Sequence, residues 1–117
     1  MSTAAWMQIE SDGDSVTARF TERVRLTGER AEEAGECLTT LLNAGKSYRI
    51  IINLQNVDVV TSLIIGKLFG LQRQAVAAGR RVVLCEVNPV IREIFDLTKL
   101  SEFVDIFETE TAARQSQ

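Results

Sequence analysis

Ile52-Asn53-Leu54-Gln55-Asn56-Val57-Asp58-Val59-Val60-Thr61-Ser62-Leu63-Ile64-Ile65-Gly66-Lys67-Leu68-Phe69 passes from one apolar stretch to another through a short link, and the two stretches differ in period. The first belongs to residues 48–54, whose centre Ile50-Ile51-Ile52 is too continuously apolar for a strand with one wet face; this predicts a central strand covered on both sides. The second places Ile64, Leu68, Leu71, Ala75 and Ala78 at helical spacing, predicting a helix from Thr61 or Ser62 to about residue 78, ended by Gly79-Arg80-Arg81. Residues 56–60 read as the loop between them. A strand, a link and a hydroxyl pair opening an apolar helix make a layered α/β unit.

Working outward, residues 81–87, centred on Val82-Val83-Leu84, read as another buried strand. Asn88 and Pro89 are the natural N-cap and first residue of a helix over 89–96. Residues 104–107 predict a last short strand, and 108–117 a terminal helix turn or frayed tail. Upstream, Ala31, Ala34, Leu38, Leu41 and Leu42 recur at three- and four-residue spacing, with Glu29, Glu32, Glu33 and Glu36 on the other face. That pattern predicts an amphipathic helix from about Gly28 to the stop at Asn43-Ala44-Gly45. Strands over 6–10 and 15–20, separated by Asp-Gly-Asp, predict an antiparallel hairpin at one edge. The fold class is therefore α/β, with a mixed central sheet of four to five strands, an N-terminal hairpin and three to four helices, all within one domain spanning 1–117.

Composition narrows the function. The chain has 117 residues, 45% hydrophobic and 25% charged, and no apolar run nears the roughly 20 residues that cross a bilayer. The start lacks a basic n-region and apolar h-region, so a cytoplasmic protein without a membrane span is expected. Its 13 basic residues are scattered under a net charge of −3, which argues against nucleic acid as a partner. The absence of histidine removes the commonest general base and metal ligand, and with it any Ser-His-Asp or Cys-His arrangement. Cys37 and Cys85 read as free thiols and fall short of a structural zinc set, so neither a metal nor a cofactor is expected.

Gly66-Lys67 is not a phosphate loop, since Thr61 stands where that motif has its first glycine and Leu68 where it has Ser or Thr. A small nucleotide-binding or hydrolytic protein is accordingly disfavoured, and an enzyme is not expected. Asp58 and the Glu29–Glu36 carboxylates lack partners at a recognisable spacing and read as solvated charges. Thr61 and Ser62 have an ordinary role as N-caps, worth about 1 kcal/mol. The face that follows adds to this: Ser62, Gly66, Phe69 and Arg73 share one side, and Gly66 and Gly70 each cost about 1 kcal/mol of helix propensity. Either the sheet or a partner protein is expected to approach them closely.

The segments Ile51-Ile52-Asn53-Leu54-Gln55-Asn56-Val57-Asp58-Val59-Val60-Thr61-Ser62 and Arg80 to Leu100 resemble the STAS domain. This is the fold of bacterial anti-sigma-factor antagonists and of the cytoplasmic tails of sulfate transporters. The resemblance implies a buried strand and loop leading to a helix whose opening hydroxyl is phosphorylated, with Ser62 as the phosphoacceptor and Thr61 as the second candidate. It differs from the common Asp-Ser-Ser/Thr-Gly-Leu opening: Thr61, Leu63 and Ile64 replace the acidic residue, the second hydroxyl and the glycine, and Lys99 stands where a glycine is common. As a divergent, stand-alone member, the chain would be a transcription-regulating anti-sigma-factor antagonist. It would bind an anti-sigma factor of the histidine-kinase-like ATPase type, with a serine/threonine phosphatase as a further partner. Its docking residues would be Asn56, Asp58, Val59, Val60, Thr61, Ser62, Leu63, Gly66 and Phe69. The alternative is a constitutive assembly subunit of a stressosome-like or lipid-transport complex, without phosphoregulation.

Overall fold

The computed structural model describes residues 5–116. In chain order its elements are β1 (Met7–Asp12), β2 (Ser15–Phe20), β3 (Val24–Leu26), α1 (Gly28–Ala44), β4 (Arg49–Asn53), β5 (Val57–Val60), α2 (Ser62–Ala77), β6 (Arg81–Cys85), α3 (Pro89–Leu97), α4 (Leu100–Phe103), β7 (Asp105–Phe107) and α5 (Glu110–Gln115). Five strands form a mixed sheet in the order β1-β2-β4-β6-β7. Only the β1–β2 hairpin is antiparallel, as the Asp-Gly-Asp turn predicts; Gly13, at a φ of 59°, supplies the positive φ that a two-residue hairpin needs.

The parallel strands align Ser15, Arg49 and Arg81 at one end and Arg19, Asn53 and Cys85 at the other. β4 is buried at every residue, and the reason is visible on each face. Ile50 and Ile52 join Val16, Ala18, Val82 and Leu84 in the main core beneath α1, α2 and α3, whereas Ile51, Val83 and Cys85 lie with Ala113 under α5. Burial pushes the Cys85 thiol up to about 12, so it stays protonated at neutral pH; Cys37 is likewise free.

Several expectations are corrected. Residues 57–60 are a strand, not a loop: β5 pairs in parallel with β3 as a separate two-stranded sheet. Ala78 is exposed and closes α2 instead of extending its core stripe, while Gln72 is buried there, accepting a hydrogen bond from Val82 N at 2.8 Å and donating to the Phe103 carbonyl at 3.1 Å. The hairpin's first strand starts and ends one to two residues later than expected, at Met7 and Asp12. Lys99 adopts a φ of 69° at the start of α4, which explains why glycine suits that position.

Of the two forms expected for the C-terminal segment, a helix turn and a frayed tail, the structure has the helix, and it is docked. Thr109 caps it by accepting from Ala112 N, and Glu110 holds it down. Arg19 grips both Glu110 oxygens at 2.8 and 2.6 Å, Asn53 Nδ2 donates to Oε1 at 2.9 Å, and Arg114 adds a contact at 3.1 Å. The Arg19 hydrogen bonds, opposed by burial and helped by Asn53 and by the nearby Arg19 and Arg114 charges, hold the Glu110 carboxyl down to about 2. A carboxyl depressed in the folded state stabilises fully above its unfolded value and loses that contribution as pH falls through its folded value. We therefore expect stability to drop by about 2 kcal/mol between roughly pH 5 and pH 2 from this group alone. Glu110→Gln should be less stable by a similar amount at pH 7 and show a flatter acid limb in urea unfolding measured across pH.

Candidate functional site

The turn from β4 to β5 is built by asparagines. Asn53 Oδ1 accepts from Gln55 N, Asn56 Nδ2 donates to the Phe20 carbonyl at 2.7 Å, and the Asn56 carbonyl accepts from Val24 N. Asn56 is thus half-buried and works inward, anchoring the β3–β5 ribbon to the main sheet. Val57 is buried, Asp58 exposed, and Val59 and Val60 half-buried, with Val59 opposite Arg25 and Val60 opposite Leu26. Asp58 carries an ion pair to Arg23 at 2.6 Å. Asn88, the N-cap of α3, also donates to the Val57 carbonyl at 3.3 Å, so α3 braces the ribbon.

The helix start departs from the cap expectation. Thr61 occupies the N-cap position in extended conformation, but its hydroxyl makes no capping bond; it donates to the Leu26 carbonyl at 3.1 Å, tying α2 to β3. Ser62 is the first helical residue and is exposed, and no hydrogen bond engages its hydroxyl among the described residues. No acidic residue lies in the first turn of α2, so the positive end of the helix faces solvent unneutralised beside Ser62. Thr61→Val should therefore cost about 1 kcal/mol by orphaning the Leu26 carbonyl. Urea denaturation of that variant checks this.

Along α2, Leu63 is 41% exposed and Gly66 is exposed, while Phe69 is half-buried and stacks on Phe103 at 5.6 Å between ring centroids. Beyond the backbone of its own helix and its chain neighbours, a Cβ added at Gly66 or Gly70 would meet no atom within 4 Å. The sheet therefore does not approach these glycines, which removes that half of the expectation. The close helix contact lies instead at Gly35 of α1, where an added Cβ would meet the Lys67 side chain at 2.2 Å. Asp58, Ser62, Leu63 and Gly66 thus form one exposed path from strand to helix, flanked by the half-buried Val59, Val60 and Thr61, whereas Asn56 and Phe69 hold structure behind it. Sequence reasoning missed β3, with Arg23 beside it, and Phe103, 41% exposed next to Phe69. Among the described residues no cluster of carboxylates and cysteines could hold a metal ion, and no helix is long and apolar enough to cross a membrane.

Comparison with known proteins bears on this arrangement. The model of a family described as the STAS domain matches residues 13–113. Among solved structures, the chain is similar to the anti-sigma factor antagonist SpoIIAA in its unphosphorylated form, at 23% identity and a TM-score of 0.76, with 92% of each chain covered. It is similar to a structure of SpoIIAA, described as a Bacillus cell fate determinant, in the phosphorylated form, at 21% identity and a TM-score of 0.70, covering 95% of this chain and 99% of that one. A third, a putative anti-sigma factor antagonist from Thermotoga maritima, gives 20% identity and a TM-score of 0.82, covering 95% and 93%. At these identities the structural likeness is one of fold.

Proposed function

This chain belongs to the STAS domain family, and on that footing we propose that it is a regulatory protein-binding module, an anti-sigma-factor antagonist that sequesters an anti-sigma factor of the histidine-kinase-like ATPase type. The observation that carries this reading is the exposed, unengaged Ser62 hydroxyl at the positive end of α2, beside the exposed apolar side chain of Leu63. Phosphorylation there would add a charge of about −1.5 to −2. The free domain tolerates that charge because the helix end favours it, so release of the partner comes from repulsion and lost apolar contact, not from unfolding. That a similar domain, SpoIIAA, is described in both unphosphorylated and phosphorylated forms supports the switch. A serine/threonine phosphatase would reset it, and the cytoplasm is the compartment where such a cycle operates.

Leu63 favours the second reading, a constitutive assembly subunit of a stressosome-like or lipid-transport complex, because it puts an apolar contact where the common pattern has a second hydroxyl. Gly66 and Gly70 test whether α2 is the docking face at all. With open space above both, Gly66→Ala/Gly70→Ala should raise the stability of the free domain by about 1.5–2 kcal/mol. If the partner's backbone seats on this face, the same variant binds the ATPase at least about tenfold more weakly, a loss of about 1.4 kcal/mol. Calorimetric titration against the purified ATPase reads this; a stabilised variant with unchanged affinity would remove the glycine face from the interface.

A further inference from the structure

A second site lies at the end of the sheet opposite Ser62. Asp14 and Ser15 of the hairpin, Tyr48 and Arg49 at the start of β4, and Arg114 and Ser116 at the end of α5 line one cleft of about 580 Å³, within the size range of small-ligand sites. Arg49 is 9% exposed. Its Nη1 donates to the Ser15 hydroxyl at 2.7 Å and its Nη2 to the Ser116 carbonyl, both neutral acceptors. Among the described residues no carboxylate pairs with it, whereas Arg19, Arg23, Arg81, Arg92 and Arg114 all sit on carboxylates; Arg80, which donates to the Ser47 and Leu42 carbonyls, shares this lack but lies outside the cleft. The Tyr48 ring, 5.8 Å from the guanidinium carbon, is a partial substitute for a counter-ion.

Two guanidinium donors of this cleft, the Nε of Arg49 and the Nε of Arg114, are buried without an acceptor. Arg114 is already neutralised by Asp12 at 3.0 Å and Glu110 at 3.1 Å, so among the described residues of the cleft the positive charge without a carboxylate is that of Arg49. A desolvated guanidinium without a counter-ion is unfavourable, and in a low-dielectric surround it attracts an anion more strongly than it would in water. Its planar fork fits the two oxygens of a carboxylate or phosphate. Asp12 and Asp14, both exposed, also line the cleft; Asp12 is taken up by Arg114, and Asp14 disfavours highly charged ligands.

We infer that this cleft binds a small oxyanion, a carboxylate or a phosphate, with Arg49 as its charge partner. The site is independent of the Ser62 face. The test is a proton–nitrogen NMR titration of the full chain with inorganic phosphate and, separately, with succinate, sodium chloride holding ionic strength constant. Saturable shifts of the Arg49 Nε signal and of the Ser15 and Arg49 amides are expected, with a Kd of about 1 mM. Saturation by phosphate only, or by succinate only, identifies which oxyanion the cleft takes. Asp14→Asn, an exposed change, should tighten binding by about three- to tenfold by removing repulsion. Arg49→Lys should weaken it by at least about tenfold, because lysine lacks the fork; if that variant does not fold, the wild-type and Asp14→Asn titrations decide. Shifts that stay linear and match those of chloride, or a saturation insensitive to Asp14→Asn, would overturn the assignment.

Discussion

Ser62→Asp should weaken binding of the anti-sigma factor by about 100-fold or more, equivalent to about 2.7 kcal/mol. The free domain has no reason to resist the change. Ser62 is exposed, its hydroxyl is unengaged, and the first turn of α2 holds no other acidic residue, so a carboxylate at this helix start is stabilising by about 0.3–1 kcal/mol. The penalty arises only in the complex, where docking against Leu63 and the open glycine face would strip water from the new charge. Ser62→Ala provides the contrast: with no hydrogen bond to lose, it should keep affinity within about threefold and stability within about 0.5 kcal/mol. Titration calorimetry with both variants, paired with urea denaturation, separates a lost interface from a lost fold. Equal affinity for Ser62→Asp and wild type would leave the assembly-subunit reading in its place.

Phe95→Ala should produce the largest loss of stability of any single substitution considered, about 3–5 kcal/mol. Phe95 is 0% exposed and belongs to the main core, on a helix that packs against α4 and β5. Small domains are stable by only about 5–15 kcal/mol, so the variant would lie near the edge of folding. The effect also reaches the site, since α3 braces the β3–β5 ribbon through Asn88 and the Val57 carbonyl. Urea denaturation should show a lower midpoint with an unchanged slope. A loss below about 1 kcal/mol would mean that the pocket around Phe95 collapses with little cost or that α3 packs differently.

The parts of the fold legible in the sequence are those where burial writes a pattern. Ile50-Ile51-Ile52 is apolar on both faces because helices cover both, and the α1 and α2 stripes follow the helical period because one side of each is in the core. β3 and β5 left no such mark. They are short and pair only with each other; β3 alternates burial over just three residues, and β5 runs from buried Val57 and exposed Asp58 to two half-buried valines, so no period emerges. The docking of α5 was hidden for a different reason. Its polar residues suggest solvent, yet Glu110 is held by Arg19 and Asn53, partners 91 and 57 residues away in sequence. Likewise the helix start around Ser62 is visible locally, but the Thr61 bond to Leu26 crosses 35 residues: the local cap rule has the hydroxyl accepting from a helix N–H, whereas it donates to the distant Leu26 carbonyl.

The most direct test of the central claim is affinity capture from native cell lysate with wild-type and Ser62→Asp baits side by side, bound proteins being identified by mass spectrometry. A histidine-kinase-like ATPase retained by wild type and lost by Ser62→Asp is the predicted result. Recovery of one scaffold or transporter complex equally by both baits would contradict it.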